Sequence, residues 1–204
     1  MRAQKTDSST RQAQILDHAL ELIGEHGVSG LSMAELARRV GLVTSGLYRH
    51  YESKDALVTA VIERIGQRLE KVLGEIKSQY EDPIEQLEQL HRRQIELIRT
   101  NPGIPRLVFA DTVFGDDATR RQQLHKIVDR YLDRVAAIIR SGQKAGAIDP
   151  TLSPKATAVL FLGLIQPPAL LWRMSDGRFD VKRQMRNAWP MFETMIRSAS
   201  DKPT

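Results

Sequence analysis

Within positions 44–50 stand five side chains able to donate hydrogen bonds: Thr44, Ser45, Tyr48, Arg49 and His50. Such groups suit phosphates and base edges, and the Arg49 fork can grip guanine through two parallel bonds. Around them, residues 38–54 hold Arg38, Arg39, Arg49 and Lys54 against the single acid Glu52, a local excess of +3. A second constellation is Glu88-Gln-Leu-His91, a lone Glu-x-x-His pair at helical spacing. A di-iron bundle needs that pair twice with further carboxylates facing it. None of the other four histidines has Glu three residues before it. A solvated pair on a helix face is the expectation there. The chain has no glycine-rich phosphate loop, no His-Glu-x-x-His and no nucleophile elbow.

The first cluster needs short, rigid carriers. Ser32 is an N-cap candidate with Glu35 three residues on, a capping box in which each side chain serves the other's backbone N–H. Leu36, Ala37 and Val40 put an apolar stripe on that helix. Gly41 follows, where a left-handed C-terminal cap favours a residue without a β-carbon. Thr44 is expected to cap a second helix over 45–50, with Leu47 and Tyr51 turned inward. Ser53 caps a third, and Asp55 in its first turn suits the positive end of the helix dipole. Lys54 at the same helix start reads as a phosphate contact. Two helices about a short turn containing glycine form the helix-turn-helix pattern. The second helix of that pattern lies in a major groove with its first residues on base edges. The expected DNA-contacting residues are therefore Ser32, Arg38, Thr44, Ser45, Gly46, Tyr48, Arg49, His50 and Lys54. The same pattern also occurs in all-α proteins that never meet DNA.

The run Gly41–Leu57, GLVTSGLYRHYESKDAL, resembles the signature of TetR-family bacterial repressors, and Gln14–Gly27 resembles their first helix. Two positions depart mildly from that signature: Thr44 stands where Ser is usual, and Tyr51 where Phe is usual. Beyond residue 60 only length and helical character match. The resemblance implies a dimeric regulator whose helix after Ser53 transmits ligand binding to the DNA-binding heads. It also implies dimerisation through a four-helix bundle drawn from two subunits.

A length of 204 residues with 41% hydrophobic content allows a real core, and 5% aromatics make that core aliphatic. There is no cysteine, which excludes disulfides, thiolate metal sites and a cysteine nucleophile. The N-terminus carries no apolar signal-peptide region. Both features lead to the expectation of a cytoplasmic protein. The net charge is +5, but residues 1–60 are neutral, with seven basic and seven acidic residues. Residues 141–204 hold nine basic against five acidic residues, so the global excess sits at the wrong end to explain DNA binding. That expectation rests instead on the local cluster and on an N-terminal arm with Arg2, Lys5 and Arg11, which can track phosphates or enter a minor groove.

Helical spacing organises the rest. Residues 10–26 form an amphipathic helix that supports the helix-turn-helix from behind. Residues 54–79 make a long helix, and Pro83 suits the first turn of the next, over 83–100. Asn101-Pro-Gly-Ile-Pro105 punctuates the chain. A short helix over 104–114 and a long one over 118–145 follow. Residues 155–174 are the most apolar stretch, near the lower limit for a membrane span. Gln166-Pro167-Pro168 interrupts it, so it is expected to pack on both faces, one against its own core and one against a second subunit. The prolines are expected to bend or break that helix and to leave carbonyls near Gly163 and Leu164 without donors. The bend either widens an internal cavity or only shapes packing. The last helix, 178–199, joins 155–174 in the expected two-fold interface, with Leu160, Leu164, Trp189, Phe192 and Ile196 as its residues.

The expected fold is all-α: a three-helix DNA-binding unit at 10–55 joined to a helical ligand-binding and dimerisation bundle at 56–200, about nine helices in all. The expected function is a ligand-responsive transcriptional regulator, a repressor, binding a pseudo-palindromic operator as a homodimer, with no membrane partner, no cofactor and no metal. A small-molecule effector of unknown identity enters the body, and His91, Phe109, Phe114 and Gln166 are the expected pocket residues. The rivals are a sequence-neutral DNA-binding or chromosome-organising protein on the same fold, and a helical-bundle enzyme with a metal at Glu88 and His91.

Overall fold

Helices end in this chain where the residues that end helices stand. The computed structural model describes residues 8–108, 110 and 118–198. Among them lie ten helices and no strand, apart from one isolated bridge between Ile148 and Arg197. In chain order these are α1 (Ser8–His26), α2 (Met33–Arg39), α3 (Thr44–Tyr48), α4 (Lys54–Gln79) and α5 (Pro83–Thr100). After them come α6 (Gly103–Val108), α7 (Ala118–Lys144), α8 (Pro154–Gly163), α9 (Gln166–Met174) and α10 (Val181–Ile196). The described residues divide between two compact units, Met1–Gly66 with Asn101–Leu124, and Gln67–Thr100 with His125–Thr204. The first unit therefore reaches beyond the 10–55 span and takes in a segment from the middle of the chain. Helices α4 and α7 each contribute residues to both.

In the first unit, α1 buries Ile15, Ala19, Leu22 and Ile23, α2 buries Leu36 and Ala37, and α4 buries Leu57 and Val58. Helix α6 lies against α1 at van der Waals limits. A β-carbon on Gly103 would fall 2.1 Å from the Leu20 carbonyl oxygen, so only glycine fits there. The Arg106 guanidinium donates to the Glu25 carbonyl at 2.9 Å. From the start of α7, buried Arg120 pairs with Asp55 in the first turn of α4, and Gln123 donates to the Thr59 carbonyl at 3.2 Å. Asp55 thus serves an ion pair as well as the helix dipole.

The second unit closes around Leu87, Leu90, Ile95, Val135, Ile139, Phe161, Trp189 and Phe192. The ring centroids of Phe161 and Phe192 stand 5.6 Å apart, and those of Trp189 and Phe192 stand 6.0 Å apart. Tyr131 donates to the Gln94 side-chain oxygen at 2.8 Å, so that buried pair satisfies itself.

Residues 154–174 pass for a membrane span by length and composition, but they form two helices. The chain turns at Leu164 and Ile165, whose N–H groups bond back to Phe161 and Leu162 at 3.0 Å. Pro167 and Pro168 then fall in the first turn of α9, where no donor is required. The prolines start a new helix instead of kinking an old one, so the one helix expected over 155–174 is two among the described residues. Beside the break lies a surface hollow lined by Gly163, Leu164, Pro167, Pro168, Leu171 and Phe179. Gly163, Pro167 and Leu171 are exposed, so the hollow opens outward and is no internal cavity.

Candidate nucleic-acid interface

The turn between α2 and α3 is built from backbone. Ser32 sits in extended conformation and its Oγ accepts the Glu35 N–H at 3.3 Å. The reciprocal half of the expected capping box is not used. Glu35 Oε1 turns to Arg38 at 3.1 Å and to Arg39 Nε at 3.3 Å. Arg39 also forms a two-bond bridge to Glu25 at 2.6 and 2.7 Å. Each holds the other charged: Arg39 pulls the Glu25 carboxyl below its ordinary value, and Glu25 raises the guanidinium. Arg39 therefore ties α2 to α1 and is not spare charge for DNA. Gly41 takes φ +69, and the Leu42 N–H returns to the Ala37 carbonyl at 2.8 Å, closing α2.

Helix α3 departs from expectation at its start. Its N-cap is Val43, in extended conformation and with no side-chain cap, and Thr44 is the first helical residue. Valine has no oxygen to accept a first-turn N–H, so α3 begins uncapped. The helix ends at Tyr48, and Arg49 and His50 lie in the turn behind it. Leu47 is fully buried, and Tyr51 is partly so, its phenol pushed up by that burial. Ser53 Oγ accepts the Ala56 N–H at 3.0 Å and starts α4.

This scaffold leaves Ser32, Arg38, Thr44, Ser45, Tyr48 and Arg49 exposed on the first unit. Gly46 and His50 are half-covered. Tyr48 stands 47% exposed. Lys54 donates to the Ser29 carbonyl at 2.8 Å, which holds its ammonium over the loop before α2. Arg11 belongs to α1, not to an arm, and donates to the Val40 carbonyl at 3.1 Å, bracing the end of α2. Arg2 and Lys5 lie outside the described residues. The residue that spacing missed is Val43. It falls four before buried Leu47, which reads as one apolar stripe, yet its extended backbone turns it outward.

The second unit sorts the other candidates. His91 is not solvated: it is fully buried, its ring 6.0 Å from Trp189 and 6.2 Å from Phe161. Neither ring nitrogen has a hydrogen-bond partner of good geometry. Burial pushes its pKa down from 6.5 to about 4, opposed by the nearby Leu164 carbonyl. Glu88 is half-buried and pairs with Arg92 at 2.6 Å instead of with His91. Gln166 is half-buried and bonds none of the carbonyls beside the break. Phe109 and Phe114 lie outside the described residues.

The expected interface residues on α10 need correcting. Trp189, Phe192 and Ile196 are buried in their own subunit's core, because their spacing makes the inner stripe of the helix. The outward apolar residues of α10 are Met191, 75% exposed, and Met195. On α8 and α9 they are Val159, Leu160, Leu170, Leu171 and Met174, while Leu164 is half-buried.

Comparison with known proteins covers most of the chain. The family model described as bacterial regulatory proteins, tetR family, matches residues 15–61. The model described as tetracyclin repressor-like, C-terminal domain, matches residues 80–196. Over 195 residues the chain is 22% identical to nucleoid occlusion factor SlmA of Vibrio vulnificus (strain YJ016), covering 96% of this chain and 98% of that protein. The structure of the transcriptional regulator FadR from Bacillus subtilis in complex with stearoyl-CoA superposes with a TM-score of 0.77 at 20% identity, covering 89% of this chain and 97% of that one. The structure of AibR in complex with isovaleryl coenzyme A and operator DNA gives 0.67 at 24% identity, with the same two coverages, 89% and 97%.

Proposed function

The chain belongs to the TetR family of bacterial DNA-binding transcriptional regulators, and on that premise we propose that it is a homodimeric, ligand-responsive repressor acting in the cytoplasm. Each subunit lays α3 in a major groove, and the two heads read the halves of a pseudo-palindromic operator. The observation that carries this reading is the exposed set Thr44, Ser45 and Tyr48 on one short helix, with exposed Arg49 in the turn directly behind it. Arg38 and Lys54 flank the set as phosphate contacts. Dimerisation uses the outward apolar residues of α8, α9 and α10, with Leu160 and Met191 as its centre.

The effector binds in the second unit. It lowers operator affinity by its preference for the DNA-incompetent state, and by no more than that. Acyl thioesters of coenzyme A are the first class to test, since two proteins of this fold are solved with such ligands, stearoyl-CoA in one and isovaleryl coenzyme A in the other. The protein is no enzyme in this reading.

A sequence-neutral, chromosome-organising role is the second reading; the likeness to a nucleoid occlusion factor along 96% of the chain supports its chromosome-organising part alone. Competition binding separates the two. A repressor selects one palindrome over bulk DNA by at least ~10³. Tyr48→Ala and Arg49→Ala are the direct test of the reading face. Each loses about 1–3 kcal/mol of operator affinity while the dimer persists in sedimentation. Unchanged affinity removes those residues from the face.

A further inference from the structure

Two neighbouring residues on the exposed side of α3 break local rules with no structural return. Val43 holds the N-cap, makes no cap hydrogen bond and is 72% exposed. Serine or threonine there would accept a first-turn N–H and hide no apolar surface. Gly46 sits inside the helix, where alanine is favoured. Its φ is not positive. A β-carbon on it would meet Val43 Cγ2 at 3.6 Å and Leu42 Cβ at 3.9 Å, ordinary contacts that forbid nothing. Neither packing nor backbone requires the glycine. Local choices that cost stability and gain no packing mark functional positions.

Side by side, the two make a shallow notch: the valine methyls form one wall, and the missing glycine side chain leaves the floor open. Thr44, Ser45 and Tyr48 of the same helix are exposed. In a major groove the base edges offer one apolar group, the C5-methyl of thymine. We propose that Val43, seated against Gly46, is a specificity-determining residue that receives the C5-methyl of one thymine in each operator half-site. This rests on the DNA-reading role above and adds to it the identity of one base.

The test starts from an operator selected out of random duplexes by the purified full-length chain. Each thymine is then replaced by deoxyuridine, which deletes that methyl and nothing else. One position per half-site loses about fourfold in affinity, the worth of one buried methyl, and about sixteenfold when both half-sites are changed. Val43→Ala removes the difference between thymine and deoxyuridine at that position and leaves helicity unchanged. Val43→Ser supplies the missing cap, so it melts no lower than the parent, yet it too loses the preference. A purely structural valine would show the opposite pattern. Tolerance of deoxyuridine at every position, or a penalty that survives in Val43→Ala, overturns the proposal. If no sequence is selected at all, the DNA-reading role itself falls and takes this assignment with it, an outcome distinct from a selected operator indifferent to the methyl.

Discussion

A neutral His91 is a condition of the folded state. Its pKa falls to about 4 because burial of the ring among Phe161 and Trp189 outweighs the opposing pull of the nearby Leu164 carbonyl. An unfolded chain binds that proton near 6.5. Between those values the unfolded state holds more protons, so stability falls as pH drops from 6.5 to about 4 and is then constant for this group. The loss amounts to about 3 kcal/mol. Urea unfolding at pH 7 and pH 4 measures it, and His91→Leu should remove that share of the acid sensitivity. An identical acid slope in both proteins would refute the assignment. The burial of this histidine was legible in principle. Leu87, His91, Gln94 and Ile98 follow the i, i+4, i+7 rhythm of one stripe, and all four are buried. Residue type hid what spacing declared. Val43 is the converse case: an apolar residue four before buried Leu47, it stands 72% exposed on an extended backbone with ψ 151°.

At the scale of elements, caps were the most readable signals. Ser32, Gly41, Ser53 and Pro83 stand at the boundaries they announce: the serines accept first-turn N–H groups, Gly41 takes the positive φ that closes α2, and Pro83 lacks a donor where a first turn needs none. What spacing could not show is which of two helices approaches the other closely. The contact of α6 with α1 depends on Gly103, and the sequence reads that glycine only as part of a turn. Gly103→Ala should cost about 2–3 kcal/mol, since the clash is with the Leu20 backbone and no side chain can swing away. Thermal unfolding measures this, and a melting temperature equal to the parent's would show that α6 shifts freely. The faces of α10 teach a similar lesson. Its aromatic residues stand out in the sequence, yet they fill the subunit's own core, and unbranched methionines are left outside.

At the scale of the molecule, the exposed methionines and leucines of α8, α9 and α10 set the expected assembly. Leu160→Glu combined with Met191→Glu puts two charges on that face without touching the core. Sedimentation at micromolar concentration should then find monomers with native helicity. A dimer that survives both charges would move the interface elsewhere. By contrast, Trp189→Ala should lower stability by about 3–5 kcal/mol, as removal of a buried aromatic does. The all-α class was readable from spacing and capping, and the outward apolar residues of α8, α9 and α10 were readable only as a region.

Arg106, Arg120 and Gln123 belong to Asn101–Leu124, the segment that completes a unit otherwise built from the first 66 residues. On a ribosome, the helix-turn-helix emerges long before these three. The nascent head must wait until more than half of the chain has been synthesised before its packing closes. A gene fragment ending near residue 60 would therefore express a head stripped of the wedge behind its first helix, and grafting that fragment onto another protein would transplant the reading residues without their support.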